Sequence, residues 1–302
     1  IEFARKYQLE QHFLQGLDES FYTMLEQQES FLRNYYPYLL KELPILAYAA
    51  VDKYFKTLTT EYTHVILAGK SLGASHDDRF HEADILLRRK KDIIPISVKL
   101  AKSHSFVNTK SGGVKSFFEK YFHINEAKIS QKSFYQGFEK DYELFAHSLH
   151  DEKGLLYNDS FKSWENHGYE VLPGQLVGAE REHLLDFYNK VNGNLFMELN
   201  KLFKCNPQEF NKGLSLISGN SSKDLIHMTC FYTLKNEAFT HKNIAIRSQA
   251  SSLECREIIQ NKGSVDIKTN ISTIQVRLKP MNKFTNKSFK LNCAVKEFNW
   301  PV

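Results

Sequence analysis

Ala83-Asp-Ile-Leu-Leu-Arg88 and Asp92-Ile-Ile-Pro-Ile-Ser-Val-Lys-Leu100 decide the reading of this chain. Only Arg89, Lys90 and Lys91 separate them. A third apolar run, Thr63-His-Val-Ile-Leu-Ala68, comes before them across the polar stretch 69–79. Short apolar runs with short polar connections predict an antiparallel meander. Side chains two apart on a strand share a face, so Ser97 and Lys99 stand together on the third strand. A hairpin this tight puts that face beside Asp84, which opens the second. An acid, a hydroxyl and an ammonium converge there.

Phosphodiester hydrolysis needs such a set. A carboxylate holds Mg2+, a hard ion that prefers oxygen ligands. The backbone carbonyl of Val98 offers a second oxygen. The metal polarises the phosphate and lowers the pKa of a bound water. A lysine orients that water or offsets charge in the transition state. The plainer alternative is an Asp and a Lys solvated at strand ends.

The pattern resembles the core of the PD-(D/E)xK nucleases, the superfamily that includes most type II restriction endonucleases. The likeness rests on Asp84 opening a strand, Ser97-Val98-Lys99 on the next, a helix expected over 114–122, and a helix ending before the first strand. Two positions depart from it. Ala83 stands where the family has Pro, and Ser97 where it has Glu or Asp. The resemblance implies a mixed α/β fold, a core sheet flanked by helices, followed by a helical and β-rich C-terminal region. It also implies a catalytic role for Asp84, Ser97 and Lys99. Mg2+ is then the cofactor, held by Asp84, the Val98 carbonyl and a displaced acid. Glu82 is the first choice for that acid, two residues from Asp84 and on the same strand face. Glu119, Glu61 and Glu42 are the others.

The segment 100–113 is dense in hydroxyls, amides and lysines, and it leads through Gly112 and Gly113 into the expected helix. Glycines let a backbone approach closely, and a helix N-terminus attracts phosphate. Ser111 reads as the N-cap of that helix. Lys102, Ser103, Asn108, Lys110 and Ser111 are therefore the candidate DNA contacts. The alternative is a polar surface loop. A second lysine-rich stretch, 277–290, has a similar character.

The rest of the chain sets bounds. Its 302 residues are 42% hydrophobic and 25% charged, which is ordinary for a globular protein. No apolar run approaches the roughly 18 residues that span a bilayer, and no signal peptide is read at the N-terminus, which starts without Met. The formal charge of +5 permits nucleic-acid binding, and only 9 of the 40 basic residues are Arg. Abundant Lys, Asn, Ile, Phe and Tyr match the bias of AT-rich bacterial genomes, and a bacterial cytoplasmic location is expected. Four cysteines, at 205, 230, 255 and 293, form no CxxC pair and read as reduced thiols in a core. No dinucleotide-binding, Walker, nucleophile-elbow or HExxH motif is present.

Helices are expected over the first sixty residues, including an apolar one over 38–58 that contains Pro44. More are expected from 114 to about 149, over 180–204, from Pro207 onward and over 222–235. Strands are expected over 243–247, 264–268, 274–279 and 289–295. The chain divides into 1–150, the N-terminal helices with the catalytic core, and 151–302, which completes the core and recognises DNA. The expectation is a Mg2+-dependent, sequence-specific endonuclease of double-stranded DNA, a restriction-modification enzyme working as a homodimer. A structure-specific repair or recombination nuclease of the same fold, and a DNA-binding protein with a decayed site, are the alternatives.

Overall fold

The meander forms as its pattern requires. β1 (His64–Leu67), β2 (Ile85–Arg89) and β3 (Asp92–Lys102) pair antiparallel, with Leu67 opposite Ile85 and Ile85 opposite Ile96. The computed structural model describes residues 1–58, 61–68, 83–219, 225–235, 238–247 and 253–297. Four helices precede β1: α1 (Glu2–Lys6), α2 (Glu10–Gln15), α3 (Glu19–Tyr35) and α4 (Pro37–Thr57). The Asp18 carboxylate caps α3 by accepting from the Phe21 amide at 2.9 Å. Pro37 opens α4, where its missing N–H costs nothing. α4 continues through Pro44 and buries Leu46, Ala50, Val51 and Tyr54 as one stripe.

After β3 the chain builds β4 (Val107–Gly113), α5 (Phe117–Tyr121), α6 (Asn125–Glu152), α7 (Lys162–Asn166), α8 (Gly178–Cys205) and α9 (Pro207–Ile217). It then returns with β5 (Ile226–Lys235) and β6 (Ala238–Arg247), and ends in β7 (Cys255–Asn261), β8 (Ser264–Thr269), β9 (Ser272–Pro280) and β10 (Phe289–Glu297). The result is mixed α/β, with two five-stranded, mostly antiparallel sheets and helices.

Two compact units share these elements. The first is Ile1–Ser105 with Ser222–Ala250. Its sheet runs β1-β2-β3-β5-β6, and only the β3–β5 pairing is parallel. Parallel neighbours need a crossover connection, and here that crossover contains five helices. The core joins Leu46, Ala50 and Tyr54 of α4 to Leu87, Ile96, Ile226, Met228 and Ile244 of the sheet.

The second unit is Phe106–Ser221 with Ser251–Val302. Its sheet is antiparallel throughout, in the order β4-β10-β9-β8-β7. The helices bury an aromatic core against it, with Phe134, Phe138, Phe187 and Trp164 fully enclosed. Gln131, itself buried, accepts from the Phe118 amide and donates to the Val114 carbonyl, which satisfies the turn into α5. Position 150, the boundary expected from the sequence, lies inside α6.

Several expectations change. Residues 226–235 form β5 and not a helix, because Ile226, Met228 and Cys230 are buried at alternate positions. Residues 107–113 form β4 and not a loop, since β10 supplies partners for their backbone. Ser111 lies in that strand, so it is no N-cap; Ser116 precedes α5, without a capping side-chain bond. β7 was not expected. All four cysteines are free, but Cys205 is exposed. Burial pushes the Cys230 and Cys255 thiols up to about 11, so both stay protonated and inert.

Candidate active site

Asp84 stands immediately before β2 and is tied into the sheet through its backbone. Its amide donates to the Ile96 carbonyl at 2.8 Å, and its carbonyl accepts from the Ala68 amide at 2.9 Å. The side chain then reaches β3. Oδ2 accepts from the Val98 amide at 2.6 Å and from Ser97 Oγ at 3.3 Å. Oδ1 makes no hydrogen bond with a described residue. Asp84 is half-buried, whereas Ser97 is 2% exposed. Two donors on one oxygen hold the carboxylate in place and leave the other oxygen available.

Lys99 follows on the same face of β3, half-buried, and forms no ion pair among the described residues. Acid and hydroxyl therefore meet, and strand alternation puts Lys99 on the face of Ser97. The parallel pairing adds two residues to that face. His227 lies opposite Ser97, and the buried Thr229 opposite Lys99. Sequence reasoning missed both because it assigned 222–235 to a helix. The available signal was the strict alternation Ile226-His-Met-Thr-Cys230, a period of two.

The proposed metal ligands divide. Asp84 offers a hard oxygen. Val98, whose carbonyl is the expected second oxygen, is held beside that acid by its amide, which donates to Asp84 Oδ2. Glu82 lies outside the described residues, as do His76 and His81. Glu61 is exposed before β1, Glu42 is half-buried on α4, and Glu119 is exposed on α5 of the second unit. Among the described residues no three His, Cys, Asp or Glu side chains come together as a metal site. Mg2+ needs only one or two carboxylates when water and substrate phosphate fill its remaining positions, so the donor set fits one such ion at Asp84.

The five candidate DNA contacts fall on two strands and the turn between them. Lys102 is exposed at the end of β3, and Ser103 follows it in a turn, its amide donating to the Tyr232 carbonyl at 2.7 Å. Asn108, Lys110 and Ser111 belong to β4 of the second unit. Asn108 Oδ1 accepts from Asn292 Nδ2 at 2.8 Å. Among the described residues no helix is long and apolar enough to cross a membrane. No family model, no curated protein and no solved structure matches this chain.

Proposed function

We propose that this chain is a Mg2+-dependent, sequence-specific endonuclease of double-stranded DNA, a type II restriction enzyme with a PD-(D/E)xK-like core. The observation that carries the reading is the Asp84 carboxylate joined to Ser97 Oγ and the Val98 amide, with Lys99 two residues on along the same strand. The mixed sheet backed by α4 agrees with the core that this resemblance implies.

The roles follow from the contacts. Asp84 would hold the metal, since its second carboxylate oxygen makes no hydrogen bond with a described residue. A bound Mg2+ supplies polarisation of the scissile phosphate and acidification of a water. Ser97 orients Asp84 and does not replace the missing carboxylate, because a hydroxyl carries no charge to offer a cation. Glu82 remains the proposed second acid. Lys99, without a neutralising carboxylate among the described residues, donates to a phosphate oxygen and offsets the charge that grows in the transition state. His227 and Thr229 flank Ser97 and Lys99 and limit where these side chains can stand. A homodimer on a palindromic site gives one centre per strand, and the bacterial cytoplasm is the proposed location.

Ser97 and the lack of three converging ligands among the described residues favour one rival, a DNA-binding protein without catalysis. Plasmid DNA incubated with and without Mg2+ separates the readings. Discrete fragments only with Mg2+ support the restriction enzyme. Nicks that follow DNA structure support a repair nuclease, and intact plasmid supports the rival.

A further inference from the structure

The sheet of the second unit has one face committed to the core and one that is not. On β9, Ile274, Val276 and Leu278 are buried, and on β10 so are Phe289, Leu291, Cys293 and Val295. The alternate positions carry the half-buried Gln275, Arg277 and Lys279 on β9, and the half-buried Lys290 and Asn292 with the buried Ala294 on β10. Register sets Lys279 directly opposite Lys290, and Arg277 opposite Asn292. Three cations thus occupy adjacent positions of one sheet face. Lys120 adds a fourth at the neighbouring edge, its ammonium on the Ser111 carbonyl at 3.4 Å.

Like charges directly opposite in a sheet destabilise it. Several other lysines of this unit, Lys153, Lys190, Lys212, Lys268 and Lys287, each pair with a carboxylate. No carboxylate among the described residues pairs with Arg277, Lys279 or Lys290. Arg277 Nε is buried without a hydrogen-bond partner. Burial, then the charges of Arg277 and Lys290, hold the Lys279 ammonium below the usual lysine range. An anion on this face offsets the like-charge repulsion and favours the charged form of Lys279.

We propose that the β9–β10 face of the second unit, centred on Arg277, Lys279 and Lys290, is a docking surface for the phosphate backbone of duplex DNA. The choice of DNA rests on the nuclease reading; the choice of a polyanion rests on the face itself. A single phosphate satisfies one cation, whereas a backbone offers charges in a row. A lipid surface is the poorer partner, because positions 275, 277, 279, 290 and 292 supply no apolar side chain to insert. The contacts are to phosphate, so they set affinity and orientation rather than sequence choice.

The test is duplex binding without divalent metal across a salt series, using the full chain. A triple variant, Arg277→Gln with Lys279→Gln and Lys290→Gln, is compared with a control of equal charge loss away from the sheet, Lys153→Gln with Lys190→Gln and Lys212→Gln. The slope of log affinity against log salt should fall by about 0.9 per lost contact, hence about 2.7 for the triple variant. Affinity should drop roughly ten-fold or more, and the control should stay near wild type. Matching melting temperatures establish that both variants fold. Unchanged binding by the triple variant, equal losses in the control, or no duplex binding by wild type would each overturn the proposal. So would competition by polyglutamate as strong, charge for charge, as by DNA. Mg2+-dependent cleavage by wild type is scored in parallel. Cleavage with an ineffective triple variant removes this surface and leaves the nuclease. A strong triple effect without cleavage leaves the surface and removes the nuclease.

Discussion

Lys99 has a charge, a place on the site face and no ion pair among the described residues. In the proposed nuclease its ammonium is available to the reacting phosphate, and its effect should fall on the chemical step. Lys99→Ala should lower single-turnover cleavage by roughly 10²–10³-fold while duplex affinity changes little. If affinity falls in proportion to rate, Lys99 is a phosphate contact and not a catalytic residue. The Asp84, Ser97 and Lys99 grouping was legible in the sequence because it is local. A two-residue turn, Lys90-Lys91, fixes the hairpin, and strand alternation fixes the face. His227 and Thr229 were not legible, because they join the face only through a pairing between positions about 130 apart in the chain. No local pattern encodes which distant strand a β3 edge will choose.

At the scale of elements, the long helices and most strands were readable from their periods. α4, α6 and α8 each carry a buried stripe, and β8, β9 and β10 each alternate. Failures came where polar composition hid a strand. Val107-Asn-Thr-Lys-Ser-Gly-Gly113 has the residues of a loop, yet β10 supplies its hydrogen bonds. Close approach of elements was equally hidden. A Cβ on Gly213 of α9 would stand 2.4 Å from Phe122 Cδ1 and 2.9 Å from the Tyr121 carbonyl oxygen. Gly213→Ala should therefore destabilise by about 1–3 kcal/mol in a denaturant titration, despite the better helix propensity of alanine. A pH effect belongs to the contact of α6 with α8. Asp141 on α6 accepts from Asn194 Nδ2 at 2.9 Å. Burial, first among its causes, holds the Asp141 carboxyl above its ordinary value. A raised folded-state value means that this group favours folding when protonated, and that the benefit is lost as pH rises through that value. Asp141→Asn should accordingly gain stability relative to wild type as pH rises from 3 to 6. A difference that shrinks over this range would contradict the assignment.

The whole molecule is two units threaded through each other in sequence. The chain leaves the first sheet after β3, builds most of the second unit, and returns to lay β5 beside β3. A division at one point of the chain could not describe this, which is why a boundary near 150 falls within a helix. One candidate site per chain also bears on assembly. Cutting both strands at a palindrome is simplest for a two-fold dimer, since protein symmetry then matches DNA symmetry. The first unit exposes large apolar side chains on α3 and α4, among them Phe31, Tyr35, Ile45 and Tyr48 at 48, 67, 61 and 66%, and these are the proposed dimer contacts. Light scattering should find two chains per cleaved duplex, and Ile45→Asp with Tyr48→Asp should reduce this to one. A 1:1 wild-type complex that still cuts both strands would remove the dimer and leave the site. The central claim is that Asp84 carries phosphodiester hydrolysis. It is tested most directly by single-turnover cleavage of plasmid DNA in Mg2+ by wild type and Asp84→Asn, with duplex affinity measured without metal. Asparagine keeps an oxygen for the Val98 amide but removes the charge. The account predicts discrete fragments from wild type, a loss of at least about 10³-fold in Asp84→Asn, and affinities alike within a few-fold. Cleavage by Asp84→Asn at the wild-type rate, or no cleavage by wild type, would contradict it.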